Sequence, residues 1–179
     1  MKKFNLVLVL ALVLSLTLVA CQSSTEKAKN ATEALKAVTL SAEDAARIFT
    51  DKYAGVSIDE ISFEMEEGSY VYEINGFDDT KEYDMAIDAA DGSIIMDESE
   101  KDRDPDDKAI DLALLGNANE LIESAKTDAG EGFYLDSYSI DVEDSGSITK
   151  IDIEVKNANG KDIEYEYNLE TKELIKKDL

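Results

Sequence analysis

The side chains that most often carry covalent or metal chemistry are nearly absent from this chain. It has no histidine and a single cysteine, Cys21. Without imidazole there is no Ser-His or Cys-His pair and no imidazole metal site. What it has is carboxylate: 41 Asp and Glu against 18 Lys and Arg in 179 residues. Two carboxylates can act as acid and base on a glycosidic bond, but here they are so numerous that no pair stands out. A small helix-and-sheet protein with one wet sheet face is also a poor frame for a sugar cleft. The expectation is a protein that is not an enzyme, with no catalytic residues, no cofactor and no dedicated metal site. Asp102, Asp104, Asp106 and Asp107 form the densest acidic run and are a candidate for weak Ca²⁺ binding. They lack the ligand spacing and the glycine at the sixth position that an EF-hand loop requires. A solvated linker ending in a helix cap accounts for them.

The cysteine sits in a telling place. Lys2 and Lys3 precede an apolar run over residues 6–19, broken only by Ser15 and Thr17, and then comes Leu18-Val-Ala-Cys21. The run is too short for a comfortable membrane span of about 20 residues. The small residue before the only cysteine resembles a bacterial lipobox. That resemblance implies a signal peptide over 1–20, cleavage before Cys21, and a thioether-linked diacylglycerol on Cys21, which anchors stably where a single acyl chain is marginal. It further implies an extracytoplasmic protein, lipid-anchored to the bacterial cell membrane. With Cys21 modified no thiol remains, which excludes disulfide and redox chemistry. Cleavage removes two of the 18 basic residues and none of the 41 acidic ones, taking the net charge from −23 to −25. Such a charge argues against nucleic acid, whose phosphates need Lys and Arg, and against electrostatic docking on anionic lipid. It favours cations or basic partners.

The elements that must position any site follow in order. Residues 21–40 are small and polar and read as a tether, weakly helical at most over 32–38. Ser41 can cap a helix whose first turn holds Glu43 and Asp44; Ala45, Ile48, Phe49 and Tyr53 share one face, and Gly55 is a stop. Ile61, Phe63 and Met65, then Tyr70, Tyr72 and Ile74, then Tyr83, Met85 and Ile87 alternate with polar residues, and 93–96 make a short fourth strand. Turns are predicted at 67–69, at Asn75-Gly76 with Asp78-Asp79, and at Asp91-Gly92. Alternation of this kind gives a sheet with one dry and one wet face. The wet face collects Glu64, Glu66, Glu73, Glu82 and Asp84, a candidate partner-binding face that suits a basic peptide or a protease surface. An acidic linker over 99–107 precedes a helix running from the Asp104 cap to about Asp128, with Gly116-Asn117 able to bend or split it. A second strand set uses Tyr138, Ile140 and Val142, then Ile151, Ile153 and Val155, then Ile163, Tyr165 and Tyr167, with turns at 144–146 and 157–160. Its ending over 168–175 lies where 88–95 lay in the first set, and Lys81-Glu-Tyr83 matches Lys161-Asp-Ile163 in the same frame, a pattern of internal duplication.

Ser41-Ala-Glu-Asp-Ala-Ala46, Val71-Tyr-Glu-Ile74, Lys81-Glu-Tyr-Asp84 and Asp88-Ala-Ala-Asp-Gly-Ser-Ile94 together resemble the PepSY family, over about 58 residues. The stretch 108–179 resembles a divergent relative, with Leu169 and Lys172 where the closing motif has Ala and Gly. The expected fold is α+β: two tandem modules, 41–98 and 108–179, each one helix packed on a three- to four-stranded antiparallel sheet. The resemblance implies a non-catalytic binding or regulatory protein, one that binds or inhibits an exported peptidase or holds another envelope protein. The alternative is an acidic surface protein that gathers cations or basic peptides with no dedicated partner.

Overall fold

The computed structural model describes residues 23–101, 107–143 and 148–179, and in them the period-two patterns become strands. The signal segment, Cys21, the carboxylates at 102, 104 and 106 and the turn at 144–146 lie outside the described residues. The first strand set is β1 (Ser57–Glu66), β2 (Ser69–Phe77), β3 (Glu82–Asp88) and β4 (Ile94–Glu100). The second is β5 (Phe133–Val142), β6 (Thr149–Asn157), β7 (Asp162–Asn168) and β8 (Leu174–Asp178). Helices α1 (Ser24–Leu35), α2 (Ala42–Lys52) and α3 (Ala118–Ala129) complete an α+β fold, with a 3-10 helix over Leu112–Asn117 leading into α3.

The two strand sets do not form two sheets. They form one antiparallel sheet of eight strands in the order β4-β3-β2-β1-β5-β6-β7-β8. The join is β1 against β5, where Glu60 faces Asp141, Ile61 faces Ile140, Ser62 faces Ser139 and Phe63 faces Tyr138. Two separate modules would each leave a long edge open to unwanted pairing. Here those edges close each other, and the buried Ile61, Phe63, Tyr138 and Ile140 fuse two small dry faces into one core. Phe63 stacks on Tyr70 and Tyr138 with ring centroids 4.6 and 5.1 Å apart, and the Tyr138 hydroxyl donates to the Tyr72 hydroxyl at 3.1 Å across the seam.

Helix α2 starts as its sequence dictates. Ser41 and Asp44 make a reciprocal capping box, and Ala42, Ala45, Ala46 and Phe49 are buried. Three expectations are corrected. The tether contains a docked helix, because Ala28 and Ala31 of α1 are buried and the following Thr39 and Leu40 amides donate to the Ala89 carbonyl. The long second helix is cut: Asp111 caps the 3-10 helix, and the α-helix begins only after Gly116-Asn117. Gly76 lies within β2, opposite Ile58, and not in a turn. An added Cβ there would lie 2.7 Å from the Phe49 ring and 2.6 Å from the Ser57 carbonyl oxygen, so glycine is what lets α2 lie this close to the sheet. Strand β4 also runs on into the acidic stretch, where Ser99 pairs with Tyr83 and Glu100 with Glu82; Lys52 at the end of α2 and Tyr53 after it both bond the Asp97 carboxylate.

Candidate functional site

Helices α2 and α3 cover one face of the sheet, packing on β1–β2 and on β5–β7, and the middle of the other face is open. Strand alternation aims Glu60, Ser62, Glu64 and Glu66 of β1 at that face. Cross-strand pairing sets Glu73 beside Ser62 and Ala86, and Asp84 beside Asn75 and Glu98. Glu82 faces Glu100 one pair further on. The five carboxylates singled out by the pattern, Glu64, Glu66, Glu73, Glu82 and Asp84, are thus on one surface. Oxygens of Glu64, Glu66 and Glu73 come within 4.8 Å of one another, whereas Glu82 and Asp84 line a separate hollow toward the far end of the strands with Asp59, Asn75 and Asp107.

Like charges face each other on both halves, Asp152 against Glu166 and Glu154 against Glu164 on the second, but lysines are set among them only there. On the β5–β8 half, Lys150 bridges Asp141 and Asp152, and Lys156 bridges Asp136 and Glu154. No Lys or Arg of the described residues is recorded in an ion pair with the carboxylates of Glu60, Glu64, Glu66, Glu73 or Asp84. Burial raises the carboxyl of Glu73 above its ordinary range, and the charges of Glu66, Glu64, Glu60 and Asp84 add to it. Burial likewise raises Asp84, reinforced by Glu100, Glu82 and Glu98, and Glu60, where Asp141 adds to it while Lys150 and a hydrogen bond with Asn75 oppose it. Asp59, displaced by the irregularity between Ile58 and Glu60, is pushed up to about 7 by burial and then by Asp107.

An open groove of about 450 Å³ runs along the seam between the halves. Its floor is small and polar, from Ser62, Ser137 and Ser139; Glu60, Glu64 and Glu73 stand on one side, and Asp152, Glu154 and Glu164 on the other. Glu60, Asp152, Glu154 and the three serines were not singled out from the sequence. The signal for Glu60 was its parity with Ser62 and Glu64. The rest depend on the β1–β5 pairing, which no local pattern announces. The groove offers hydrogen-bond acceptors and negative potential along an extended path. The Ser137 hydroxyl meets Glu154 at 3.4 Å, too long and too unsupported by a third group for nucleophile activation.

The family model described as the peptidase propeptide and YPEB domain, PepSY, matches residues 39–98. Residues 39–98 are a PepSY domain. The match takes in α2 and β1 to β3 whole, with most of β4. No curated protein matches the chain. The fold is similar to the crystal structure of a candidate lipoprotein from Clostridium difficile, with a TM-score of 0.66 and 23% identity, over 79% of this chain and 93% of that one. Within the PepSY domain, the closing motif is a tight turn: the Ala90 amide donates to the Asp88 side chain, and the Gly92 amide to the Asp88 carbonyl. The second half builds the same turn on Asn168, which accepts from Glu170 and Thr171 through its side chain and from Lys172 through its carbonyl. Lys172 takes φ +62° where Gly92 takes φ +77°. The PepSY domain supplies one wall of the groove and the C-terminal half the other.

Proposed function

We propose that this protein is a lipid-anchored, non-catalytic binding module of the bacterial cell envelope, which holds a basic segment of an exported protein, a peptidase first among the candidates, in the carboxylate groove of its open sheet face. The observation that carries the reading is the half-buried Glu73 and Asp84, with exposed Glu64 and Glu66 beside Glu73, set beside a second half where Lys150 and Lys156 meet acidic neighbours. Burying like charges beside one another is costly, and a cationic partner group removes that cost. The family name supports the peptidase as partner. The Cys21 lipobox supports the envelope location, and no helix of the described residues is long and apolar enough to cross a membrane. The matching turns at Asp88 and Asn168 support reading 108–179 as a divergent second module fused to the first.

The test is capture from envelope extract on the immobilised mature chain, beside a Glu60→Gln, Glu64→Gln, Glu73→Gln variant. The wild type is expected to enrich one exported peptidase or other exported protein repeatedly, the variant to lose it, and the capture to persist in about 0.5 M salt, where exposed charges are screened. Capture of many basic proteins, all released by salt, would favour the partnerless acidic surface instead. Repeated recovery of no exported protein would remove the proposal.

A further inference from the structure

The seam between the halves is closed over only part of its length. Strands β1 and β5 pair from Glu60 to Phe63 against Asp141 to Tyr138. Strand β1 runs on to Glu66 and β5 begins at Phe133, but among the described residues their pairing goes no further. The register of β5 on β6 shifts between Leu135 and Ser137, and such an irregularity bends the strand that carries it. Tyr70, opposite Met65 on β2, donates its hydroxyl to the Leu135 carbonyl at 3.0 Å and ties the two sides of the split together.

A hollow of about 580 Å³ lies at this split. Ala31 of α1, Met65 of β1 and Tyr134 of β5 give it apolar walls, and Lys27, Asp136 and Lys156 line it too. It stays open because α1 docks through alanines: Ala28 and Ala31 are buried, and side chains that small leave the split unfilled. Met65 has the parity of Phe63, on the helix side, and Lys156 that of Glu154, on the open side, so the hollow meets both. The carboxylate groove reaches the same place. Glu64 and Ser137 line the groove and are the chain neighbours of Met65 and Asp136. The Lys156 ammonium lies 2.6 Å from Asp136 of the hollow and 2.8 Å from Glu154 of the groove.

We infer that the hollow takes an apolar side chain, of leucine size, from the same basic segment that lies in the carboxylate groove. This rests on the binding reading above. Met65 is 36% exposed, and covering apolar surface of this kind is favourable. The charged groups at the hollow, Lys27, Asp136 and Lys156, give it no surplus of negative charge, so it does not attract the lysines that the groove attracts. An extended segment presents every second side chain to one side. The two sites together then select basic residues along the groove and an apolar one at its end.

The probes are two acetylated and amidated peptides, Leu-Ser-Lys-Ser-Lys-Ser-Lys-Ser-Leu and its counterpart with Ala for both Leu, titrated by calorimetry into the mature chain. A leucine at each end serves either direction along the groove. Burying the extra carbons of one Leu in an open hollow should tighten binding on the order of tenfold. Met65→Ser is expected to remove that preference and Met65→Leu to keep it. With methyl-labelled methionine, the mature chain gives signals from Met65, Met85 and Met96, and Met65 alone should shift with the Leu peptide and not with the Ala peptide. Equal affinity for the two peptides, or a Leu preference that survives Met65→Ser, would overturn the hollow and leave the groove standing. Binding of neither peptide would remove the groove, and this inference with it. A Met65 signal that moves with protein concentration alone would give the hollow to a second copy and overturn the proposal as well.

Discussion

Asp59 allows the electrostatics of the acidic face to be tested quantitatively. Its carboxyl titrates near 7 in the folded chain against an ordinary 3.8, because burial and then the charges of Asp107, Glu60 and Glu82 oppose ionisation. Between those two values the folded chain keeps a proton that the unfolded chain has released. The unfolded state then binds fewer protons, so stability falls as pH rises from about 4 to about 7 and stays low above that. A difference of about three pH units corresponds to a ceiling near 4 kcal/mol. Asp59 is only half-buried, so solvent screening brings the expected cost to roughly 1–2 kcal/mol. Asp59→Asn should therefore stabilise the protein by about 1–2 kcal/mol at pH 8, a rise of roughly 3–6 °C in Tm for a domain of this size. Near pH 4 the gain should vanish, because the native carboxyl is protonated in both states. Urea and thermal unfolding followed by far-UV circular dichroism at the two pH values measure both quantities. A gain of the same size at both would mean that the substitution acts through packing. No gain at pH 8 would mean that the face carries no stored repulsion.

Two further substitutions probe the frame. Gly76→Ala forces a methyl group into the Phe49 ring and the Ser57 carbonyl; overpacking of this kind should cost about 1–3 kcal/mol in urea unfolding, and a loss below about 0.5 kcal/mol would show that α2 is not held against β2 there. Ala31→Asp buries a charge under α1, where Ala31 is 1% exposed; it should raise amide exchange through residues 24–35 and leave the sheet protected, a loss capped at about 1–3 kcal/mol because the helix can lift away. Unchanged exchange in α1 would refute the docking.

The parts of this fold written in local pattern were legible. Ser41 and Asp44 announce α2, alternation announces β1 to β3 and β5 to β7, and Asp88 to Gly92 announces the closing turn. The seam was not legible, because β1 and β5 meet far apart in sequence, and a strand destined for the centre of a sheet has the same alternation as one at its edge. Helix α1 was hidden for a different reason: it docks through alanines, whose small apolar signal is lost among Ser, Thr, Lys and Glu. Gly76 misled because Asn-Gly is a strong turn signal, and only the approach of Phe49 explains a glycine inside a strand. The carboxylates Glu64, Glu66, Glu73, Glu82 and Asp84 could be assigned to one face by parity alone, but the groove that Glu64 and Glu73 flank exists only after the halves join.

The charge pattern itself bears on whether this face is merely solvated. Carboxylates kept for solubility serve best on turns and rims, where water screens them, and this chain has many there. On the open face they stand directly opposite one another instead: Asp84 faces Glu98, and Glu82 faces Glu100. Cross-strand like charges are destabilising, and burial adds to the cost for Glu60, Glu73 and Asp84. The other half of the same sheet shows the inexpensive solution, a lysine set between acidic neighbours at Lys150 and again at Lys156. Nothing in the strand geometry forbids that solution at β1 to β4, since the same parity and spacing recur there. On the proposed function, a cationic group laid along the seam beside Glu60, Glu64 and Glu73 would relieve the repulsion that burial adds at Glu73.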